Sequence, residues 1–502
     1  MAGRSTFTRF LLQQNCRKQI LNVRFGSHRS LHQSSNSNWR SSLNQELNNS
    51  IETPKQSPSV CIYKVPTTLR MVRTKAYDPS IVSIGPYHRG SPHLQAMEQV
   101  KMEVFRRLYC PNQETLDSAM DAMENLEDQA RNCYSENVQL GRDEFVKMLL
   151  IDGCFLVEIL KETTNPCLKL GSGIIKRWML PQIRRDLIML ENQLPLFILQ
   201  ELFQLTRNIS SQENQSYAIS FRHPWTLQRL ALDFFSPLVE GSSNTYSACL
   251  RKNSIKGEHF LDLLRNSILP AGNGLSRQNQ IHMVRPISEL KLAGIKVEMV
   301  ENCGPLDISV KKTWTMARKL TIPRLYIDDR RGSLFRNMVA FEKCHKECNP
   351  DISTYLFFLD GLIHSLEDVE ILHYNDIVHH SFSSDEEVAK FVNNQCKEIG
   401  RNAEESYLHS VVDDVNSYSR SFRARNRAWM VRHYFSSWLV GVSTFGAFLA
   451  LYLTFVQAAS SIANASKSSE NKGLYYYIMD TFLFPLGKSY SSSDNRTNVG
   501  RR

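Results

Sequence analysis

A long stretch without charged side chains lies near the C-terminus. No Asp, Glu, Lys or Arg occurs between Arg432 and Lys467, and residues 437–459 are predominantly apolar. About 20 apolar residues in an α-helix cross a hydrocarbon core of roughly 30 Å, and a lone segment in lipid must be helical to satisfy its backbone. The pattern predicts one transmembrane helix over residues 437–459, with residues 460–502 as a tail beyond it. A buried core helix is the alternative.

Apolar residues at helical spacing mark three segments of the preceding chain, and each stripe contains a charged residue. A helix that opens at Ser91 is interrupted once by a lysine, residues 143–162 carry Asp152, and residues 186–202 carry Glu191. An apolar stripe with a period of 3.6 residues packs against a core. We therefore expect both acids to be buried.

Period-two alternation replaces the helical spacing between residues 295 and 322 and predicts a small antiparallel sheet. Helical spacing then returns in four segments. These are residues 334–346, 353–373, 386–395 behind a capping box that starts at Ser384, and a last segment from about residue 404 toward the membrane span. The predicted fold class is α+β, with a predominantly α-helical body, a small antiparallel sheet and one C-terminal transmembrane helix.

Composition divides the chain further. Residues 1–58 are predicted to be a disordered basic leader, and residues 59–430 a globular domain with a subdivision near 205–285 left open. Residues 1–45 contain seven basic residues and no acid, since the first acid is Glu46. This composition is typical of a disordered tail, and also of an amphipathic mitochondrial presequence, which is the alternative.

The net charge of +10 is unevenly distributed. The leader contributes +7 and five arginines before the membrane span contribute +5, so the remainder carries a net charge of −2. A body without a broad basic face is not expected to bind nucleic acid. The five arginines are Arg420, Arg423, Arg425, Arg427 and Arg432.

These five juxtamembrane arginines also predict the orientation of the chain. Cationic flanks stay in the cytoplasm, so we expect a cytoplasmic body, an extracytoplasmic tail and contact with anionic lipid, most plausibly at the plasma membrane. The sequons at Asn464 and Asn495 would then face the glycosylating compartment. The eleven cysteines include no CxxC pair and lie before the span, which is typical of reduced thiols in a cytosolic body.

Several blocks of sequence resemble one plant family, catalogued as domain of unknown function 247. The blocks are Tyr77–Gly90 (YDPSIVSIGPYHRG), Leu150–Phe155 (LIDGCF), Asp186–Pro195 (DLIMLENQLP), Ala293–Ile295 (AGI), Arg336–Glu342 (RNMVAFE) and Asp368–Leu372 (DVEIL). Their order and number make the resemblance specific from about residue 60 to the span. It implies a plant membrane protein with no assigned chemistry, and some grass members resemble pollen self-incompatibility determinants.

Three residues are candidates for catalysis. Asp152 and Glu191 lie on apolar stripes, and His88 follows Tyr87 in a loop rich in Gly and Pro. Buried acids serve as general acids or bases, but an isolated buried charge is costly, so structural pairing with a cation or a loop amide is the favoured interpretation. Candidate cations are Arg70, Arg184 and Arg185.

Other catalytic and metal-binding patterns are weak. No phosphate-binding GxxxxGK[ST], GxSxG or HExxH pattern occurs. Cys344-His345-x-x-Cys348 offers half a zinc site without a second half, and His379-His380 is expected to be solvated in a polar loop. We therefore predict no cofactor, no metal and no enzymatic activity.

The sequence thus predicts a membrane-anchored interaction or signalling module with an unidentified protein partner, and a self-incompatibility-like recognition role is one form of it. An enzyme using Asp152, Glu191 or His88 is the first alternative. A mitochondrial membrane protein is the second.

Overall fold

The fold is that of a computed structural model of the full chain. Every element below belongs to the unit Ser59–Arg502. The structure describes Leu43 and residues 60–110, 113–164, 175–213, 226–239, 255–270, 278–279, 282–301, 303–314, 317–397, 405–434 and 438–466. The predicted leader, apart from Leu43, and the predicted tail beyond residue 466 lie outside the described residues.

The first half of the body is helical. Its helices are α1 (Thr67–Val72), α2 (Gln95–Tyr109), α3 (Gln113–Arg131), α4 (Arg142–Thr164), α5 (Leu180–Asp186), α6 (Leu196–Glu213), α7 (Leu227–Val239) and α8 (Phe260–Ile268). The helix predicted after Ser91 is confirmed; it opens as a short 3₁₀ turn, Pro92–Leu94, and continues as α2. The helix predicted over residues 143–162 is confirmed as α4.

The second half mixes short strands with helices. Its helices are α9 (Ile287–Ala293), α10 (Asp329–Cys344), α11 (Asp351–Leu362), α12 (Leu366–Tyr374), α13 (Asp385–Gln395), α14 (His409–Arg420), α15 (Phe422–Tyr434) and α16 (Trp438–Ser466). Its strands are β1 (Gln278–Asn279), β2 (Lys296–Val300), β3 (Ser309–Lys312), β4 (Arg318–Pro323), β5 (Leu325–Ile327), β6 (Val378–His380) and β7 (Glu405–Ser406). The mostly helical fold class is therefore confirmed for the described residues.

The three-stranded sheet has the order β2-β4-β3 and is mixed. β3 pairs with β4 in the predicted antiparallel sense, whereas β2 runs parallel to β4, with Val297 opposite Leu320. Period-two alternation reports which face of a strand is buried but carries no information on its direction. Two small pairs complete the strands described: β5 with β6, parallel, and β1 with β7, antiparallel.

Helix α4 lies at the centre of the first half and packs against α2, α3, α6 and α7. Every residue from 148 to 157 is buried, as expected for a helix that is apolar on nearly all sides. α6 approaches it closely at Gly153, where a Cβ atom would lie 2.3 Å from Cδ1 of Leu202.

Three helix boundaries differ from those predicted. Residues 187–195 are not helical, because α5 ends at Asp186 and α6 begins only after Pro195. The helix predicted over residues 353–373 is two helices, α11 and α12, since a capping box of Ser365 and Asp368 starts the second. The last predicted helix begins at His409, after β7, and ends at Arg420, because the next residue, Ser421, has an extended ψ of 151°.

Helix α16 contains the predicted membrane span. Its stretch Leu439–Ile462 is long and apolar enough to cross a bilayer, and none of it is buried against the described body. Phe445, Phe448 and Leu451 are between 67% and 69% exposed. The three residues between α15 and α16 lie outside the described residues.

Candidate functional site

Asp152 forms a buried ion pair with Lys101, the lysine that interrupts the apolar stripe of α2. The Lys101 ammonium donates to Asp152 at 2.7 Å, and both side chains are only 1% exposed. The other carboxylate oxygen accepts the backbone N–H of Gly85 at 2.9 Å. Burial raises the pKa of Asp152, and the charge of Lys101 opposes that rise.

Lys101 has further acceptors. It donates to the backbone oxygen of Ser83 and, at 2.6 Å, to Glu98, which lies one turn earlier on α2. The ammonium is thus fully coordinated in a dry environment and joins α2, α4 and the loop at residues 83–85. A buried charge whose hydrogen-bonding capacity is fully used is better explained by a structural role than by a role as a general acid.

Glu191 lies at the edge of the same region and contacts Arg70 and His88. One carboxylate oxygen accepts from Arg70 and lies 3.3 Å from Nε2 of His88, and the other accepts the Val65 N–H at 2.7 Å. Arg70 also pairs with Asp78, which is half exposed. Burial acts to raise the pKa of Glu191, but nearby His88 and the hydrogen bonds from Arg70 and Val65 outweigh it and lower the pKa.

The segment that carries Glu191 is a buried loop. Every residue from 186 to 196 is buried, so its backbone groups need partners within the protein. Side chains of the loop provide several of them. Gln193 donates to Leu187 O at 2.7 Å and to Met189 O at 2.8 Å. Asn192 bonds instead to the neighbouring loop, accepting from Ile84 N–H at 2.6 Å and donating to Val82 O at 3.0 Å.

Two further side chains join this loop to its neighbours. Asp186 accepts the N–H groups of Ser80, Ile81 and Val82 at 2.7–3.1 Å, which opposes the rise in its pKa caused by burial. Asn337 of α10 accepts the N–H of Leu190 at 2.9 Å. The loop at residues 80–85 and the loop at residues 187–195 are therefore held against each other by side-chain to backbone hydrogen bonds.

A second buried network lies at the junction of the two halves, where α8 and α10 pack together. Arg265 pairs with Glu342 at 2.9 Å, and Glu342 also accepts the N–H groups of Ile352 and Ser353 at 2.9 Å. His259, fully buried, accepts the Asp262 N–H at the start of α8 and contacts Cys61 O at 3.0 Å. Burial lowers the pKa of His259 to about 4.

Asp152, Glu191 and His88, the three candidate catalytic residues, do not all contact one another. Both oxygens of Asp152 are used by Lys101 and Gly85, whereas His88 contacts Glu191. Of the predicted cations, Arg70 pairs with Glu191, and Arg185 pairs with Asp186. Arg184 instead donates to the backbone oxygen of Phe234 at 2.7 Å.

The candidate zinc half-site is used in packing. His345 contacts the hydroxyl of Tyr63 at 3.1 Å, and its ring stacks on Phe341. Burial raises the pKa of Cys344 to about 11 and that of Cys348 to about 12. In the described part of the chain these residues do not form a group with metal-ligand spacing.

The prediction for the His379-His380 pair was wrong. Both residues belong to β6, which pairs with β5, rather than to a solvated loop. His379 stacks on Tyr326 at 5.3 Å, and Nε2 of His380 lies 2.6 Å from Asp385. A two-residue run of histidine has no helical or strand period of its own, so only the pairing partner β5 reveals the strand.

Helix α15 links the body to α16. Its Arg427 donates to Lys291 O and Leu292 O, at 3.0 and 3.1 Å, and so caps the last turn of α9. Arg427 therefore has a structural contact in addition to its charge. A shallow cleft of about 370 Å³ follows this helix and is lined by Phe422, Arg423, Asn426, Arg427, Met430 and Val431.

These features define a class: a helical body braced by buried ion pairs and amide-rich loops, followed by one outward-facing apolar helix. Sequence comparison places the chain within a family. The profile of a plant family described as protein of unknown function, domain of unknown function 247, matches residues 62–453. The chain belongs to this family, as its sequence blocks predict.

Two relatives from Arabidopsis thaliana are similar over nearly their whole length. One UPF0481 protein is 30% identical over 449 residues, which cover 83% of this chain and 88% of the relative. A second is 22% identical and covers 85% of this chain and 94% of the relative. No solved structure matches the chain.

Proposed function

We propose that this protein is a single-pass membrane protein whose body, held at the cytoplasmic face of a plant membrane, serves as an interaction module. The observation that carries the proposal is the apolar stretch Leu439–Ile462, whose side chains find no cover in the described body. Left in water, such a helix would expose an apolar surface far larger than a soluble monomer tolerates.

The other common origins of an apolar helix fit α16 poorly. The core helix of a soluble protein is mostly buried, whereas none of this stretch is. A signal sequence lies near the N-terminus, whereas α16 begins at Trp438. The basic helix α15 directly before the span supports a cytoplasmic body and contact with anionic lipid.

The test uses full-length protein made in the presence of microsomal membranes. Replacing Leu449 and Leu453 by Arg places two charges in the span, each costing about 2.5–3.5 kcal/mol on an insertion scale. We expect the wild type to resist alkaline extraction and float with lipid, and the double variant to do neither. The matched control is Leu366→Arg, an exposed leucine of the body, which should behave as the wild type. A wild type that is extracted by alkali and does not float would disprove the anchor.

An interaction role, rather than catalysis, is supported by how the buried acids are used. Asp152 is inaccessible and its oxygens already accept hydrogen bonds from Lys101 and Gly85. Proximity labelling from the body in plant cells is the experiment that identifies a partner. A recognition role like that of the grass proteins predicts a protein partner at the plasma membrane.

An enzyme is the second candidate, and one contact favours it. His88 is 14% exposed and its Nε2 lies 3.3 Å from Glu191, an arrangement suited to proton transfer. The test is to replace His88 by Ala and to measure, for the variant and the wild type, both the folded state and any enzymatic activity found in the wild type. Normal folding with loss of that activity would favour the enzyme, and normal activity would remove His88 from it.

A further inference from the structure

Two histidines and one aspartate meet where α12, β6 and α13 come together. His373 lies in the last turn of α12, His380 ends β6, and Asp385 begins α13. One ligand atom from each lies within 4.8 Å of the other two. Among the described residues, no other cluster of His, Cys, Asp or Glu has this spacing.

The distances are close to those of a tetrahedral metal centre. Nδ1 of His373 lies 3.6 Å from Oδ1 of Asp385, and Nε2 of His380 lies 2.6 Å from the same oxygen. Bonds of 2.0–2.1 Å to a tetrahedral ion place neighbouring donor atoms about 3.3 Å apart. The first distance already fits, and the second needs to open by about 0.7 Å.

The backbone holds the three side chains in place before any ligand arrives. β6 is paired with β5, and Ser384 caps α13 by accepting the N–H of Glu387. The turn between α12 and β6 contains Asp376, whose φ is +57°. Among the described residues, it is the non-glycine residue with a positive φ. Asp adopts this left-handed conformation more readily than most residues, and here it turns the chain from α12 into β6.

We propose that His373, His380 and Asp385 bind one zinc ion. Two imidazoles and a carboxylate are a zinc donor set of the open type, which leaves a fourth position for water or an incoming donor atom. The His373 side chain is 51% exposed, so the cluster is open to solvent on the side of His373, whereas the side chains of His380 and Asp385 are 10% and 21% exposed. The positive ion also lies beside the C-terminal end of α12, where the helix dipole favours a cation.

The hydrogen-bond surroundings predict a moderate affinity. Metal-binding histidines usually donate their second ring N–H to an acceptor, which orients the ring. Nδ1 of His380 is buried and has no hydrogen-bond partner among the described residues. We therefore expect zinc to bind in the micromolar range rather than as tightly as in a closed structural site.

The experiment compares zinc binding to four full-length proteins in detergent, purified without a polyhistidine tag and kept reduced. They are the wild type, His373→Ala, Asp385→Asn and the control His364→Ala, which removes an exposed histidine just before α12. Titration with Co²⁺, followed by displacement with Zn²⁺, reports a tetrahedral site through its visible absorption. Differences between variants separate this site from other His and Cys residues of the chain.

We expect the wild type and His364→Ala to bind one additional zinc ion tightly. In His373→Ala and Asp385→Asn the affinity of this site for zinc should fall by roughly tenfold or more. Zinc should also raise the Tm of the wild type and the control but not that of His373→Ala. Because His373 is about half exposed and His364 is exposed, His373→Ala and His364→Ala should have the same Tm as the wild type in chelator. Equal binding by the wild type and His373→Ala, or no tetrahedral Co²⁺ spectrum in the wild type, would overturn the proposal.

Discussion

The ion pair between Lys101 and Asp152 joins α2 to α4 within the apolar core. Since both side chains are 1% exposed, removal of Asp152 takes away the buried counter-ion of Lys101 and leaves it only Ser83 O and the partly exposed Glu98. We expect Asp152→Ala to lower the free energy of unfolding by about 3–5 kcal/mol. The midpoint of urea unfolding in detergent measures it. The control is Asp143→Ala in the exposed first turn of α4, which should cost less than about 1 kcal/mol; equal losses would contradict the burial argument.

His259 makes the stability of the body dependent on pH. Its pKa is lowered from 6.5 to about 4, so the unfolded chain binds a proton more readily than the folded chain between these values. Stability is therefore lost as pH falls from about 6.5 to 4, by roughly 3 kcal/mol at most. We expect His259→Gln to flatten this part of the profile of unfolding free energy against pH. His364→Ala, at an exposed position, should leave it unchanged, and a steep profile in His259→Gln would assign the effect to other groups.

At the scale of single residues, the sequence predicted that Asp152 and Glu191 are buried and paired. It did not predict most of the residues with which they pair. Asp152 and Glu191 are buried and paired as expected, and Arg70 was among the predicted cations for Glu191. Lys101 was missed, because a lysine on an apolar helical face usually extends its ammonium to the surface. His259 was missed because histidine is an unusual N-cap residue and nothing in its local sequence marks it.

At the scale of elements, the loop at residues 187–195 departs most from prediction. Its leucines repeat at helical spacing, yet residues 186–196 are buried in an irregular conformation. The side chains of Asn192 and Gln193 bond to backbone groups, which offers the chain an alternative to a helix. The parallel pairing of β2 with β4 was not predicted either, because period-two alternation carries no information on strand direction.

The loop at residues 80–90 contains two glycines that test how closely it is packed. Gly85 and Gly90 have φ of +72° and +82°, so alanine at either costs about 1–2 kcal/mol in backbone strain. At Gly85 a Cβ atom would also lie 2.8 Å from Gln193 O, whereas at Gly90 it meets nothing within 4 Å. We expect Gly85→Ala to be clearly less stable than Gly90→Ala in thermal unfolding. Equal losses would show that the two loops are not in close contact.

At the scale of the whole molecule, the arginines before α16 are expected to set the orientation. Replacing Arg420, Arg423, Arg425, Arg427 and Arg432 by Gln should weaken contact with anionic lipid and increase the inverted fraction. The body carries two further sequons, Asn208-Ile209-Ser210 and Asn214-Gln215-Ser216. Inverted molecules should not carry a glycan at Asn495 and should gain one at Asn208 or Asn214. Gel mobility with and without glycosidase measures both changes.

One variant separates orientation from packing in that experiment. Arg427→Gln removes a single charge together with the cap on α9, so it should loosen α15 without inverting the chain. If the fivefold variant kept its glycosylation and instead lost RNA or DNA binding, the arginines would belong to a nucleic-acid surface.

The contact between Arg427 and α9 also limits how far the body can move from helix α16. Tyr434 ends α15 and Trp438 begins α16, so four Cα steps separate them, a reach of at most about 14 Å. If α16 lies in the bilayer, this short reach keeps the body beside the lipid surface. Its neighbours would then be met by lateral diffusion in the membrane plane, and a partner from the cytosol would have to dock on the opposite side.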